Sequence, residues 1–362
     1  MKRKLILLLS EGYGIKNWEK LGTIDRELKI YKDLAKQNDR ELVIVSYQKD
    51  FLCGINIMRI PFPFIHHKFI NIRQLCFLFT ALFRIKTTDI IITNQAHNGG
   101  WLAILVKMFV GCKVIARCGY VFGEQMAYLK MKGFGYSKRR FLEKITMKYS
   151  NIIFCPTVEL KDWINTKYGL KNSKIKVVPN FVDENDFSKK RKVIKNFDVI
   201  YVGRIHDEKR VYLVKNLVKK FNLKTCIIGV GKNESVQQLK NLDLINYIPS
   251  VPNKDLNDYL CQSKYFVTGS SWEGHPKAII EAMSCGLICI APSVNGINNL
   301  IVDGKTGILY DGSSEDLITK FLDIDSNTAK QHLISNEAVE FIIQNFNYNK
   351  VLKKTNKFVE SL

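Results

Sequence analysis

Several things this 362-residue chain lacks narrow its function. No apolar run approaches the ~20 residues that a membrane-spanning helix needs, which argues against an integral membrane protein. The apolar stretch nearest the amino terminus, Leu5 to Leu9, stops at Ser10 and Glu11. It is shorter than the apolar core of a secretory signal and reads as a first buried strand, followed by a turn at Gly12 and Gly14. Nine cysteines are present, yet none falls in a Cys-x-x-Cys pair. That speaks against a zinc site and for reduced, buried thiols in a cytoplasmic protein. Histidine is scarce, six in all, and supplies no clear acid and base set. Zinc knuckles, RNP-type aromatic strands and arginine-rich repeats are missing, so no recognised nucleic-acid motif is present. Negative charge is short as well: 34 acidic residues stand against 55 basic ones, a net charge of +21.

That excess calls for an anionic partner, whether nucleic acid, an acidic membrane surface or a phosphorylated substrate, although high lysine use accounts for part of it. An apolar content of 46% with 25% charged residues is that of a soluble globular enzyme. The length is too great for one ordinary core and predicts about two domains.

Strand and helix signals alternate along the first half. Strands are expected at 5–9, 41–46, 89–93, 113–117, 152–155 and 175–178, and helices at 24–37, 70–85, 100–110 and 159–168, with a basic helical tract after 117. Such alternation argues for a parallel, doubly wound sheet. Residues 179–195 are polar and lysine-rich and read as a linker. Strands then recur at 197–201, 224–228, 245–248, 265–268 and 287–291, with helices at 211–220, 235–241, 256–261 and 279–283; the chain finishes in helices at 314–321, 328–344 and 348–360. Two such domains in tandem leave a cleft, the default place for a site.

Within the second half, Glu273 and Glu281 stand eight residues apart. The expected strand 265–268 lies before them and a helix is expected after Gly274, so Glu273 falls in the loop and Glu281 two turns along the helix. Helix N-termini at strand ends offer N–H groups to phosphate. Two carboxylates flanking such an end suit a phosphate-bearing ligand that also carries hydroxyls, as a nucleotide-sugar does. Upstream, a strand ends at Gly203, and Arg204 and Lys209 leave the following loop. A small residue permits close backbone approach there, and two cations can grip a diphosphate.

The segments Gly203-Arg204 with Lys209, and Glu273 to Gly286, resemble those of the retaining family 4 glycosyltransferases of GT-B fold. Val178 to Asp183 and Asp303 to Gly307 are similar to that family too. The resemblance is strongest from about Ile152 to Tyr310. It implies an α/β protein with two doubly wound Rossmann-like domains facing across a cleft. Residues 1–183 would take the acceptor and 184–344 the nucleotide-sugar donor, with a C-terminal helix at about 345–362 packing back on the first domain. By the same resemblance, Arg204 and Lys209 would hold the diphosphate and stabilise the charge that builds as the sugar leaves. Glu281 would bind the ribose hydroxyls and Glu273 the transferred sugar. The backbone around Gly274, His275, Pro276 and Lys277 would touch sugar and phosphate. Fixed cations and N–H donors supply that anion stabilisation without a metal, so no cofactor is expected. The metal-binding Asp-x-Asp pattern of other transferases occurs only at Asp323 and Asp325, in a late helical region, and reads as a solvated helix end.

Gly12 and Gly14 are similar to the glycine loop that closes over donor phosphate and acceptor. Where many members carry a histidine-glycine pair, this chain has Arg117, Cys118 and Gly119. That makes Arg117 a candidate sugar or phosphate contact, and His97, in the loop after the preceding strand, a second one. Main-chain groups near Ile248 to Val251 are expected to read the base of a UDP- or GDP-sugar. Residues 60–79 and 130–148 join aromatic bulk to positive charge, a pattern suited either to a solvated helix face or to an anionic membrane surface. The resulting expectation is a cytoplasmic enzyme, peripheral on the inner membrane face, with a saccharide or polyprenyl-linked acceptor and no nucleic acid as partner, in cell-surface polysaccharide assembly. A sugar-nucleotide epimerase of the same fold and a basic nucleic-acid-binding protein are the alternatives.

Overall fold

The computed structural model of the chain describes residues 2–48, 50–60, 70–190 and 193–362. Its contacts divide the chain into two units: Met1–Pro179 with Leu352–Leu362, and Asn180–Val351.

Unit 1 is built on seven parallel strands, β1 (Arg3–Leu8), β2 (Arg40–Ser46), β3 (Asn56–Arg59), β4 (Ile90–Thr93), β5 (Lys113–Arg117), β6 (Ile152–Cys155) and β7 (Ile175–Val177). They lie in the order β3-β2-β1-β4-β5-β6-β7. Between them run α1 (Ile15–Lys20), α2 (Ile24–Gln37), α3 (Ile70–Arg84), α4 (Gly100–Val110), α5 (Phe122–Tyr128), α6 (Phe134–Tyr149) and α7 (Val158–Tyr168). Parallel sheets are covered on both faces and therefore read as continuous apolar runs. Accordingly, β4 and β6 are buried at every position. The short β3, with polar ends, gave no such signal and was not expected. The short α1 ahead of the expected helix 24–37 was not expected either; Gly22, at φ 68°, separates it from α2.

Unit 2 repeats the plan with β8 (Phe197–Val202), β9 (Thr225–Ile228), β10 (Ile245–Ile248), β11 (Ser263–Val267), β12 (Ile288–Pro292) and β13 (Ile308–Tyr310). The order is β10-β9-β8-β11-β12-β13. Its helices are α8 (Val211–Phe221), α9 (Asn233–Lys240), α10 (Asn253–Cys261), α11 (Lys277–Ser284), α12 (Ser314–Asp325) and α13 (Thr328–Phe346). The last helix, α14 (Tyr348–Glu360), begins in unit 2 and continues into unit 1.

The stretch after Pro179 is not a free linker. Val182 and Phe187 are buried. The Val182 N–H donates to the Phe346 carbonyl at 3.0 Å, and Tyr348 N–H donates back to Val182 at 2.9 Å. Two apolar side chains in a polar stretch suffice to strap it onto unit 2. Seven of the nine cysteines are buried thiols. No helix among the described residues is long and apolar enough to cross a membrane.

Candidate active site

In unit 2 the strand order reverses direction between β8 and β11. Ligands of open α/β sheets bind outside the strand carboxyl ends at such a switch point. The loop after β8 carries Arg204 and Lys209, and the loop after β11 carries Glu273. These loops are stitched together: the N–H and hydroxyl of Ser271 both donate to the Glu208 carbonyl, at 2.8 and 3.0 Å. Arg210, left-handed at φ 43°, donates Nε to the Gly269 carbonyl at 2.6 Å and Nη1 to Gly312 at 3.1 Å. Within this frame the Lys209 ammonium donates to the Glu273 carboxylate in an ion pair whose side chains are only 19% and 15% exposed. Arg204 is exposed, and its carbonyl accepts from the Tyr201 hydroxyl at 2.8 Å.

Two glycines allow neighbouring loops to close on this pair. A Cβ on Gly229, at the end of β9, would fall 1.8 Å from the Gly203 carbonyl oxygen. One on Gly296, at φ 81°, would fall 2.4 Å from the Gly274 oxygen and 2.5 Å from that of Glu273. The backbones of Gly203 and Gly274 are thereby packed against adjoining strand-end loops.

Pro276 is extended, at φ −72° and ψ 114°, and caps α11, which begins at Lys277. Glu281 therefore lies just over one turn along the helix, not two as expected, because the residue before a proline is pushed out of the helical region. Its side chain is 1% exposed and accepts from Asn253 Nδ2 on α10 at 3.4 Å. His275 is buried, and burial pushes its imidazole down to about 3. The ring packs edge-on against Phe346 at 5.2 Å, and Nδ1 has no hydrogen-bond partner among the described residues. Asn180 Nδ2 donates to its carbonyl at 2.6 Å. The imidazole thus anchors the loop to α13 as a neutral ring.

In unit 1 the switch point lies between β1 and β4, and it gathers Gly12, Gly14 and His97. Glu11 N–H donates to the Asn98 carbonyl at 3.3 Å, and Asn94 N–H to Leu8 at 2.8 Å. Gly12 is left-handed at φ 79° with open space around it. Gly14 is needed for a different reason: a Cβ there would meet Asp50 Oδ2 and Gln48 Cβ, each at 2.6 Å. Asp50 takes the N–H groups of Ile15 and Lys16 at 2.7 and 3.4 Å, so this short helix start is already capped by a carboxylate. His97 is buried, not a surface loop residue, and burial followed by the Arg139 charge lowers it to about 4. Its Nε2 lies 3.2 Å from the Tyr120 hydroxyl, and its ring stacks on Phe122 at 5.0 Å. Arg117 is tied to the same loop, Nη1 donating to the Asn94 carbonyl at 3.2 Å.

Sequence reasoning missed Arg210, Asn253 and Asp50, each of which has a partner 28 to 102 residues away. Gly229 and Gly231 directly after a strand were the one local signal available. Asp325 is not merely a solvated helix end, since the Tyr265 hydroxyl donates to it at 2.8 Å; Asp323 pairs with Lys330 at 2.7 Å. Of the basic aromatic stretch 60–79, residues 61–69 lie outside the described residues.

Residues 182–341 match the model for glycosyl transferases group 1, and residues 30–186 that for glycosyltransferase family 4. An uncharacterised glycosyltransferase of Methanocaldococcus jannaschii is 26% identical over 256 residues, covering 67% of this chain and 64% of that protein. An uncharacterised 41.2 kDa protein from the cps region of Klebsiella pneumoniae is 24% identical, covering 51% of this chain and 54% of that protein. The chain thus spans less than two thirds of either relative. The Escherichia coli UDP-Gal:alpha-D-GlcNAc-diphosphoundecaprenol alpha-1,3-galactosyltransferase is 26% identical over 298 residues, 74% of this chain and 73% of that enzyme. Among solved structures, Anabaena HepE in complex with UDP and glucose superimposes with a TM-score of 0.78 at 14% identity, covering 99% of this chain and 100% of that one. Sucrose-phosphate synthase from Thermosynechococcus elongatus reaches 0.81 at 14% identity, covering 99% of each chain. At such identities the structural likeness shows the fold, two parallel Rossmann-like sheets of GT-B type.

Proposed function

We propose, from its place among the glycosyltransferases of GT-B fold, that the chain is a retaining transferase that moves a sugar from a UDP- or GDP-linked donor to a saccharide or lipid-linked saccharide acceptor. The Lys209–Glu273 pair at the switch point of unit 2 supports this reading best. Cleaving a sugar–phosphate bond puts negative charge on the departing diphosphate, and preorganised cations stabilise it in a partly dry site. Lys209 and Arg204 take that role. Glu273 holds Lys209 in place and accepts hydroxyl protons of the transferred sugar, while Glu281 accepts from the ribose. The backbone from Gly274 to Lys277 faces the sugar and phosphate. No metal enters the step. Unit 1 takes the acceptor around Gly12, His97 and Arg117. The named E. coli relative acts on a diphosphoundecaprenol-linked sugar, which favours a lipid-linked acceptor, cell-surface glycan assembly and peripheral contact with an anionic membrane.

A thermal-shift panel of nucleotide-sugars in EDTA tests the donor claim. A UDP- or GDP-sugar should stabilise the protein, and Arg204→Ala and Glu281→Ala should each abolish sugar transfer while leaving the fold intact. Stabilisation by none of these donors, or undiminished transfer by both variants, overturns the reading.

A further inference from the structure

Helix α6 does not behave like the other helices of its layer. A surface helix normally turns an apolar stripe inward every third or fourth residue. Residues 132–141, which include the first two turns of α6, are exposed without interruption, and its buried positions begin only at Glu143. The exposed turns are not polar: Phe134 is 87% exposed and Phe141 61%. Tyr128 and Tyr136 are exposed beside them. Five cations, Lys130, Lys132, Lys138, Arg139 and Arg140, share this stretch, and no acidic residue occurs from 125 to 142. The flanking Glu124 and Glu143 are both buried. Glu143 points inward, accepting from the N–H groups of Phe122 and Gly123 at 2.7 and 2.9 Å.

The patch also has a physical connection to the loop proposed to meet the acceptor. The His97 ring stacks on Phe122, and Phe122 stacks on Tyr136 at 6.3 Å and 25°. A row of rings thus leads from the end of β4 to the exposed turn of α6.

We propose that the first two turns of α6, with residues 128–133 before them, form a docking surface for an anionic lipid bilayer. Exposed phenylalanines beside lysine and arginine match the two phases that a bilayer presents, with aromatic rings at the acyl boundary and cations on lipid phosphates. The surface lies at the strand ends that carry Gly12 and His97, so it brings that loop to the membrane. This inference rests on the lipid-linked acceptor reading and names the element that meets the lipid.

Co-sedimentation of the full chain with vesicles tests it, comparing neutral phosphatidylcholine with the same lipid containing anionic phosphatidylglycerol, whose negative surface potential attracts polybasic segments. The anionic vesicles should bind at least ~10-fold more tightly. Reversing three charges, Lys132→Glu, Lys138→Glu and Arg139→Glu, should weaken that binding on the order of a hundredfold. A control with the same change in net charge, Lys219→Glu, Lys220→Glu and Lys224→Glu in unit 2, should weaken it much less. Phe134→Ser with Phe141→Ser should weaken binding more than Phe83→Ser with Phe109→Ser, two exposed residues at the far ends of α3 and α4. Equal binding to neutral vesicles overturns the proposal, as does equal loss in test and control variants, which would mean that net charge alone acts or that another partner uses the patch. Donor stabilisation in EDTA is measured on the same proteins, so its absence marks failure of the transferase reading, and its persistence without vesicle binding marks failure of this one.

Discussion

At the residue scale, Lys209, Glu273 and Glu281 are buried or half-buried charges held by a neighbour, while Arg204 is exposed. Asn253 is the clearest positioning residue, because its amide reaches Glu281 Oε1 from another helix while both side chains are nearly excluded from solvent. Removing one hydrogen bond of this kind costs about 1 kcal/mol. Asn253→Ala should therefore raise the donor KM about fivefold, by that same ~1 kcal/mol, with kcat nearly unchanged, and Asn253→Ser should recover part of the loss. Equal falls in kcat for both variants would instead mean that α10 had shifted as a whole. His275 makes a second prediction. Its folded-state value of about 3 lies below the ordinary value near 6.5, so between these limits the unfolded chain binds the extra proton. Stability from this residue is complete above pH ~6.5 and is lost as pH falls toward 3. His275→Phe, which keeps a ring against Phe346, should flatten the decline in melting temperature between pH 6.5 and 4. An unchanged slope would place the acid sensitivity elsewhere.

At the element scale, the strand ends are packed so closely that glycine is a steric requirement. Gly229 approaches the Gly203 carbonyl with no room for a methyl group, and α8 follows the loop that this carbonyl begins. Gly229→Ala should destabilise unit 2 by about 2 kcal/mol, as overpacking does, and weaken donor binding through displacement of the Arg204–Lys209 loop. A variant with wild-type melting and donor affinity would show that β9 can yield. Gly14 is constrained as well, since a Cβ there would meet Gln48 Cβ, which its own backbone fixes, and Asp50 Oδ2, which the Ile15 N–H holds at 2.7 Å. Helix α11 gives the element-scale lesson about reading boundaries. Pro276 delays its start and moves Glu281 nearer the loop than apolar periodicity alone suggested, which suits two carboxylates that serve one ligand.

At the scale of the whole molecule, each unit has its own parallel sheet and core, and each has one switch point. Donor binding should therefore be read locally. Hydrogen exchange with a UDP-sugar should show protection concentrated at residues 203–210 and 269–281 of unit 2, and protection confined to unit 1 would reverse the assignment of donor and acceptor. Much of this architecture was legible in the chain. Continuous apolar runs such as Ile90–Thr93 announce strands buried on both faces, and their alternation with helical periodicity announces parallel crossovers. Arg204, Lys209, Glu273 and Glu281 stood out by their charge next to strand ends. The short β3, the strap after Pro179 and the partners of those charges were not legible. Their signals are one or two residues long, or depend on contacts across tens of residues.

The sequence by itself determined which residue types follow which strands, because periodicity and side-chain chemistry are local properties that the backbone expresses wherever the segment lies. Only the tertiary structure decided that Lys209 meets Glu273, that Asn253 meets Glu281, and that His97 and His275 are neutral interior rings. Those outcomes depend on strand order and burial, which set distance and dielectric, and neither is encoded in any single segment. The scarcity of acidic residues belongs to both levels: the sequence sets five cations among aromatic residues between 130 and 141, and the fold leaves them exposed at and before the start of one helix.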